Sequence, residues 1–351
     1  MNSITLLDIA KRVGVSTAAV SIALNKGDTN RVSAKTRQKI LKVAEELRYA
    51  PNELARALAE NKTRLVGLVA PIGDPIFFHH FISQALSGIQ STLMRRGYNL
   101  LVYSPSGRKG LGVREKIHES KYTDGIIFIN TRSCSSRTVS ETIRDLQAAR
   151  TKFCMMNSYD GREPINYVGV DEKAIGTTAA EYLVARGHRR IAFLSGAHVL
   201  PAHRQLVSGM ERVLSKHGSS LPDELIACTE YDREQTYAML DRWFRLSSGR
   251  RPTAIVVLDD HLLSYLYDYV ELREMSIPQD FSVLARRNIG IEDHLRPRPT
   301  SISVPSFQMG QQAADLLIDT IENSRCEPRR MIMPVELIEG TTVLRKGAPR
   351  G

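Results

Sequence analysis

Residues 5–25 read TLLDIAKRVGVSTAAVSIALN, and two helices with the turn between them are legible in that stretch. Thr5-Leu6-Leu7-Asp8 is a Thr-x-x-Asp start, close to the box in which a threonine caps the backbone and an acidic residue answers it. Leu6, Ile9, Ala10 and Val13 then recur at helical spacing to about Val13, where Gly14 stops the helix. Ser16 is placed as the cap of a second short helix carrying Ala19, Val20, Ala23 and Leu24 on one face. Two short helices joined by a glycine-containing turn make a helix-turn-helix. A third helix starts near Ser33, with Ile40, Val43, Ala44 and Leu47 as its buried stripe.

Any small helical bundle shares the glycine turn. What favours a nucleic-acid partner is the second helix, which is short and exposed and begins with small hydroxyl residues. Lys11, Arg12, Lys26, Arg31, Lys35 and Arg37 flank it. A recognition helix enters the major groove N-terminus first while neighbouring cations hold phosphates. Charge agrees: residues 1–62 hold eleven Lys/Arg against six Asp/Glu, which is half of the chain's net +10 in under a fifth of its length. That asymmetry is expected of a segment meeting a polyanion, although a solvated basic face would produce it too.

The full length of 351 residues implies two or three domains on a prior of ~100–200 residues each. No apolar run reaches the ~18–20 residues that span a bilayer, so no membrane role is expected. Asp8 and then Lys11-Arg12 interrupt the N-terminal apolar stretch, so a signal peptide is not read and the expected compartment is the cytoplasm. Cys134, Cys154, Cys228 and Cys326 are scattered without a C-x-x-C pair, which argues against a disulfide framework or a zinc site and makes buried thiols the expectation.

From Thr63 onward, apolar β-rich runs alternate with amphipathic helices. The first set is Val66–Ala70, a helix about 77–96, Tyr98–Val102, a helix about 110–121, Gly125–Ile129, a helix about 138–149 and Lys152–Met156. A second set begins with Tyr167–Val170 and a helix about 172–186. It continues with Ile191–Ser195, a helix about 204–217, Ile226–Tyr231 and a helix about 233–246. Ala254–Leu258, a helix about 260–275 and Ser282–Ala285 follow, and the last strand is read at Glu336–Leu344. Alternation of this kind means parallel strands with crossover helices, packed here as two doubly wound lobes. Ligands in such sheets bind outside the carboxyl ends of the strands, so two facing lobes make a cleft.

A two-lobed enzyme is the competing class, but no catalytic constellation supports it. Gly107-Arg108-Lys109-Gly110-Leu111-Gly112 lacks the order and following Lys-Ser/Thr of a phosphate loop. No G-x-S-x-G occurs, and the adjacent His79-His80 face different directions on a helix. Asp259-Asp260-His261 is acidic at a strand end and is a weaker metal alternative. Neither catalysis nor a cofactor is expected. A stand-alone solute-binding protein would need an export signal and no helix-turn-helix.

The chain resembles the lactose repressor and purine repressor family of bacterial regulators. The matching strings are TLLDIAKRVGVSTAAVSIALN at 5–25 and VSAKTRQKILKVAEELRYAPNELARAL at 32–58. Further along come IFFHHFISQALSGIQSTLMRRGYNLLVY, YTDGIIFI, VGVDEKAIGTTAAEYLVARGHRRIAFLSG and RPTSISVPSFQMGQQAADLL, all in family order. The resemblance implies an α/β architecture: a helix-turn-helix domain at 1–50, a hinge helix and linker at 51–62, and a two-lobed core with parallel sheets at 63–347. That core is of the type I periplasmic-binding-protein kind. It implies a repressor that binds a palindromic double-stranded operator as a homodimer and responds to a small-molecule effector in the cleft. A terminal tetramerising helix is not read, because apolar heptads are missing after the last strand.

Carried over by position, the expected DNA contacts are Thr5, Ser16, Thr17, Ala18, Ser21, Ile22, Asn25, Arg31 and Thr36, with Asn52, Arg56 and Leu58 in the hinge. Ala18 and Ile22 are apolar where polar readers are common, so they meet thymine methyls or edges, and Thr17 is the main hydrogen-bonding reader. Inward packing of Ile22 is the alternative. Leu58 is the expected minor-groove wedge, the alternative being an ordinary linker with one buried leucine. The expected effector contacts are Asp74, Phe77, Phe78, Asn157, Tyr231, Asp259, Arg287 and Phe307 (or its neighbour Gln308).

Two departures stand out. Leu206 occupies the place of an effector-binding arginine, and Ala285-Arg286-Arg287 replaces glycine, an aromatic residue and aspartate. A carboxylate accepts hydrogen bonds where a guanidinium only donates them. Arg287 therefore either grips an anionic effector such as a sugar phosphate, or pairs with Asp259 or Asp260 and weakens the cleft; an ordinary sugar or nucleoside is the third option.

Overall fold

The computed structural model describes residues 4–24, 31–49, 57, 62–70, 80–103, 122–130, 136–159, 161–196, 201–287, 294–323 and 325–346. They form two compact units, one ending at Thr63 and one starting at Arg64.

In the first unit, α1 (Leu6–Val13), α2 (Thr17–Leu24) and α3 (Ala34–Glu46) each pack on the other two. The capping box forms as read: the Thr5 backbone N–H donates to Asp8 Oδ2 at 2.8 Å and the Asp8 N–H donates to Thr5 Oγ1 at 3.4 Å. The Thr5 bonds hold the Asp8 carboxyl below its usual range. Gly14, at φ 77°, ends α1, and its N–H and that of Val15 both reach the Ala10 carbonyl. An L side chain is strained in that left-handed conformation, which is why glycine stands there. Ser16 caps α2 through the Ala19 N–H at 3.2 Å, and Ser33 caps α3 through the Thr36 N–H at 3.2 Å. Ile9, Ala10, Val20, Ala23, Ile40 and Ala44 close the core, while Ala19 and Leu24 are only half-buried. Ser33→Ala is expected to cost about 1 kcal/mol of this unit's stability, seen as faster amide exchange at Ile40 and Val43, with α2 unaltered.

The second unit holds two six-stranded sheets. The first runs in the order β11-β5-β4-β3-β1-β2, all parallel. Its strands are β1 (Leu65–Val69), β2 (Asn99–Tyr103), β3 (Gly125–Ile129), β4 (Phe153–Met156), β5 (Asn166–Val170) and β11 (Arg330–Met333). The second runs β12-β10-β9-β8-β6-β7 and is parallel except for β12 against β10. It comprises β6 (Ile191–Ser195), β7 (Ile226–Cys228), β8 (Ala254–Val257), β9 (Ser282–Arg287), β10 (Thr300–Ser303) and β12 (Glu336–Ile338). Central strands such as GIIFI in β3 and IAFLS in β6 are buried throughout, as parallel strands covered on both faces must be. The helices are α4 (His80–Arg96), α5 (Ser136–Ala148), α6 (Glu172–Ala185), α7 (Pro201–Lys216), α8 (Arg233–Phe244), α9 (Asp260–Leu272) and α10 (Ser306–Glu322).

Three strand readings are corrected. Tyr167–Val170 does not open the second lobe: β5 pairs with β4 in the first sheet, in the register Met155↔Tyr167. The chain changes lobe after β5, returns through α10, which packs on α4, adds β11, and crosses again to β12. Glu336–Leu344 is a strand only to Ile338. Beyond it the chain is tied by single bonds, Val283 N–H to Thr342 O at 2.9 Å and the Thr342 hydroxyl to Val283 O at 2.6 Å, which make no ladder. The strand read as Ile226–Tyr231 ends at Cys228, because Glu230 and Tyr231 take positive φ of 47° and 60°. The helix read at 110–121 lies outside the described residues.

Each lobe contains a helix pair joined through two glycines. A Cβ on Gly88 of α4 would lie 1.9 Å from the Phe307 carbonyl oxygen, and one on Gly310 of α10 would lie 2.0 Å from that of Ala85. In the other lobe, Gly176 of α6 meets the Leu206 carbonyl at 2.0 Å and Gly209 of α7 meets that of Lys173 at 2.2 Å. These helices pack backbone to backbone, closer than any side chain permits. Of the thiols, Cys154 is buried, whereas Cys228 and Cys326 are half-buried, a correction to the expectation that all are covered; Cys134 lies outside the described residues.

Candidate functional site

The first unit presents the start of α2. Ser16, Thr17 and Ala18 are exposed, and Ser21 and Ile22 are half-buried beside the covered Val20 and Ala23. Ile22 is therefore neither a core residue nor fully free. Thr5 is exposed but its hydroxyl is engaged in the cap. Arg31 is exposed, and Thr36 is half-buried with its hydroxyl 2.9 Å from that of Ser33. Lys11, Arg12 and Lys35 are exposed on the same small unit. Asn25, Asn52, Arg56 and Leu58 lie outside the described residues.

In the second unit, the strand orders place switch points between β1 and β3 and between β6 and β8, where crevices open at the carboxyl ends. In the first lobe Asn157, at φ 77°, follows β4; its N–H donates to Val168 O at 3.0 Å and its Nδ2 to Asn130 O at 2.9 Å. Asn130, just past β3 and buried, donates its own Nδ2 to Ser158 O. Asn157 thus ties the ends of β3 and β4 to β5. Phe307 is half-buried in the first turn of α10. Asp74, Phe77 and Phe78 lie outside the described residues.

At the second lobe's crevice the Tyr231 ring stands against Gly196, where a Cβ would lie 2.2 Å from the ring. The Tyr231 hydroxyl donates to Asp259 Oδ2 at 3.0 Å. Two successive non-glycine residues in the left-handed region, Glu230 and Tyr231, mark a strained loop of the sort found at binding sites. Burial and the neighbouring Asp260 push the Asp259 carboxyl above its usual range, against the pull of Arg286 and of the tyrosine bond.

The sequence reading put the unusual charge on Arg287, whose side chain lies outside the described residues. The structure describes the adjacent Arg286: its Nη2 donates to Glu172 Oε1 at 2.8 Å, with the side chains 11% and 3% exposed. Glu172 opens α6 directly after the lobe crossing, so the pair ties that crossing to the end of β9. Burial holds the Glu172 carboxyl above its ordinary value, with Arg286 acting in the other direction. Glu172 was not foreseen, although Asp171-Glu172 at a strand end was a readable signal. Leu206 is fully buried, so that position belongs to the lobe's core. His80 and His261, at the starts of α4 and α9, stack across the lobes with ring centroids 5.4 Å apart. Among the described residues no group of three or more His, Cys, Asp or Glu is arranged to hold a metal ion, and no helix is long and apolar enough to cross a membrane.

Residues 5–52 match the model of bacterial regulatory proteins of the lacI family, and residues 180–343 match a periplasmic binding protein-like domain. The chain is 28% identical over 348 residues to the HTH-type transcriptional repressor PurR of Vibrio atlanticus, covering 97% of this chain and 98% of that protein. Catabolite control protein A of Priestia megaterium is 28% identical over 321 residues, covering 90% and 92%. In fold it resembles the lac repressor dimer bound to operator and the anti-inducer ONPF, with a TM-score of 0.83 at 23% identity over 98% of this chain and 100% of that one. The chain thus joins a helix-turn-helix domain of the lacI family of bacterial regulatory proteins to a two-lobed periplasmic-binding-protein-like core.

Proposed function

We propose that this chain is a transcriptional repressor that binds a palindromic operator as a homodimer, its grip set by a small molecule in the cleft between the lobes. The observation that carries the reading is the exposed Ser16-Thr17-Ala18 end of α2 on a compact, basic three-helix unit. Such an end fits the major groove, and a two-fold protein reads a two-fold site. The working division is 1–50 for DNA, 51–62 for a hinge helix carrying Asn52, Arg56 and Leu58, and 63–347 for effector and dimer contacts. Effector binding changes lobe closure and biases the hinge, and by linkage operator binding changes effector affinity by the same factor. The protein acts in the cytoplasm and carries out no catalysis on its ligand.

Selection of genomic fragments at about 0.15 M salt, where phosphate-only binding is weakened, tests this. A short palindrome is expected. Thr17→Ala is expected to weaken binding to it by ~1–3 kcal/mol while leaving affinity for unrelated DNA unchanged. Recovery of unrelated fragments alone, with and without metabolite extract, would sink the reading.

A further inference from the structure

We propose that the carboxyl edge of the second lobe takes a positively charged, hydroxyl-bearing small molecule, an amino alcohol or amino sugar. Its ammonium sits against Glu172 and Asp259 and its hydroxyl accepts from Arg286 Nε. The inference rests on the reading that the cleft binds an effector, and adds its chemical class.

An arginine usually grips a carboxylate through two parallel bonds. Here Glu172 and Arg286 share one, and Glu172 Oε2 and Arg286 Nε, both buried, have no partner among the described residues. Buried polar atoms are nearly always satisfied, so an acceptor and a donor left side by side at a crevice point to a ligand that supplies the complement of each. Charge then narrows the choice. Asp259 interacts electrostatically with both members of the pair, and Asp260 adjoins it. Glu172 and Asp259 therefore both draw on the Arg286 guanidinium, with His261 also acting on Asp259.

An anion would accept from Arg286 Nε but would set its charge against Glu172 and Asp259. A neutral hydroxyl would satisfy both free atoms and leave the carboxylates under-compensated. An ammonium offsets them, and the Tyr231 ring, half-buried on Gly196 and bonded to Asp259, adds an aromatic face of the kind that attracts cations. Glu172 and Asp260 occupy the first turns of α6 and α9, whose ends add only about half a positive charge each.

The test is calorimetry on the full chain at neutral pH with two charge series. One is glucosamine, glucose and glucose 6-phosphate; the other is ethanolamine, ethylene glycol and glycolate. In at least one series the amine is expected to bind about tenfold or more tighter than its neutral and anionic counterparts, and Glu172→Gln should erase that preference. Asp259→Asn, which leaves the ion pair in place, should lower it as well and serves if the first variant does not fold. Equal or tighter binding of an anion or neutral, a preference that survives in both variants, or no amine binding in either series overturns the inference. Operator binding of the same preparation keeps the two readings apart, because intact DNA recognition with no amine preference removes only this one.

Discussion

Arg286→Ala is expected to destabilise the second lobe by about 3–5 kcal/mol, because it leaves a buried carboxylate without its cation. The exposures of 11% and 3% leave little solvent to screen the loss. The penalty depends on pH with a definite sign. The folded-state value of Glu172 lies above its ordinary 4.5, so the stability linked to its protonated form is fully present below 4.5 and is lost as pH rises through the folded value. Removing Arg286 takes away the main lowering influence and raises that value further. The variant's deficit should therefore be small in acid, where Glu172 is protonated in both states, and full at neutral pH. Pairing the change with Glu172→Gln should recover most of it, since a replaced buried pair is often neutral while a broken one is not. Trp243, the chain's one tryptophan, is fully buried in this lobe and donates to Glu224 O at 2.8 Å, so its fluorescence reports the urea midpoint. An equal deficit at both pH values would remove the argument.

Gly310→Val is the second large effect, a loss of about 3 kcal/mol or more, at the upper end for overpacking. A Cβ at that position already lies 2.0 Å from the Ala85 carbonyl oxygen, and backbone cannot swing aside as a flexible side chain can. α10 must withdraw from α4, which also strips contacts from Leu93, Ala313 and Leu317 in the shared core. Gly209→Val should act alike on α6 and α7. Gly249→Val is the control: nothing lies within 4 Å of its Cβ, so a change within about 0.5 kcal/mol is expected. Calorimetric unfolding of the three variants checks the ranking, and a Gly310 variant no worse than the Gly249 variant would refute the close-packing account.

The same glycines show what periodicity leaves out. Gly209 was legible as a landmark in HRQLVSGMERVL, but nothing in its spacing says that another helix's carbonyl lies 2.2 Å from its missing Cβ. Leu206 behaves likewise: set against the resemblance it was a lost effector contact, and in the fold it is core. Of the residues expected to touch an effector, Tyr231 donates to Asp259 and Asn157 donates its Nδ2 to the Asn130 carbonyl. Arg287 was singled out, whereas the pairing described in the fold is that of Arg286 with Glu172, 114 residues away.

Local chemistry alone determined the three N-terminal helices, their caps at Thr5, Ser16 and Ser33, the stop at Gly14, the exposed start of α2 and the alternation of strands and helices as far as β9. Each of these depends on residues within one or two turns, where hydrogen-bond partners and apolar spacing are written side by side. Tertiary structure alone decided which sheet β5 and β11 join, which helices meet through glycine, and which arginine neutralises Glu172. A buried apolar strand such as β5 reads the same in either sheet, and a charge shows its partner only when folding brings distant segments within about 3 Å of each other and removes the water between them.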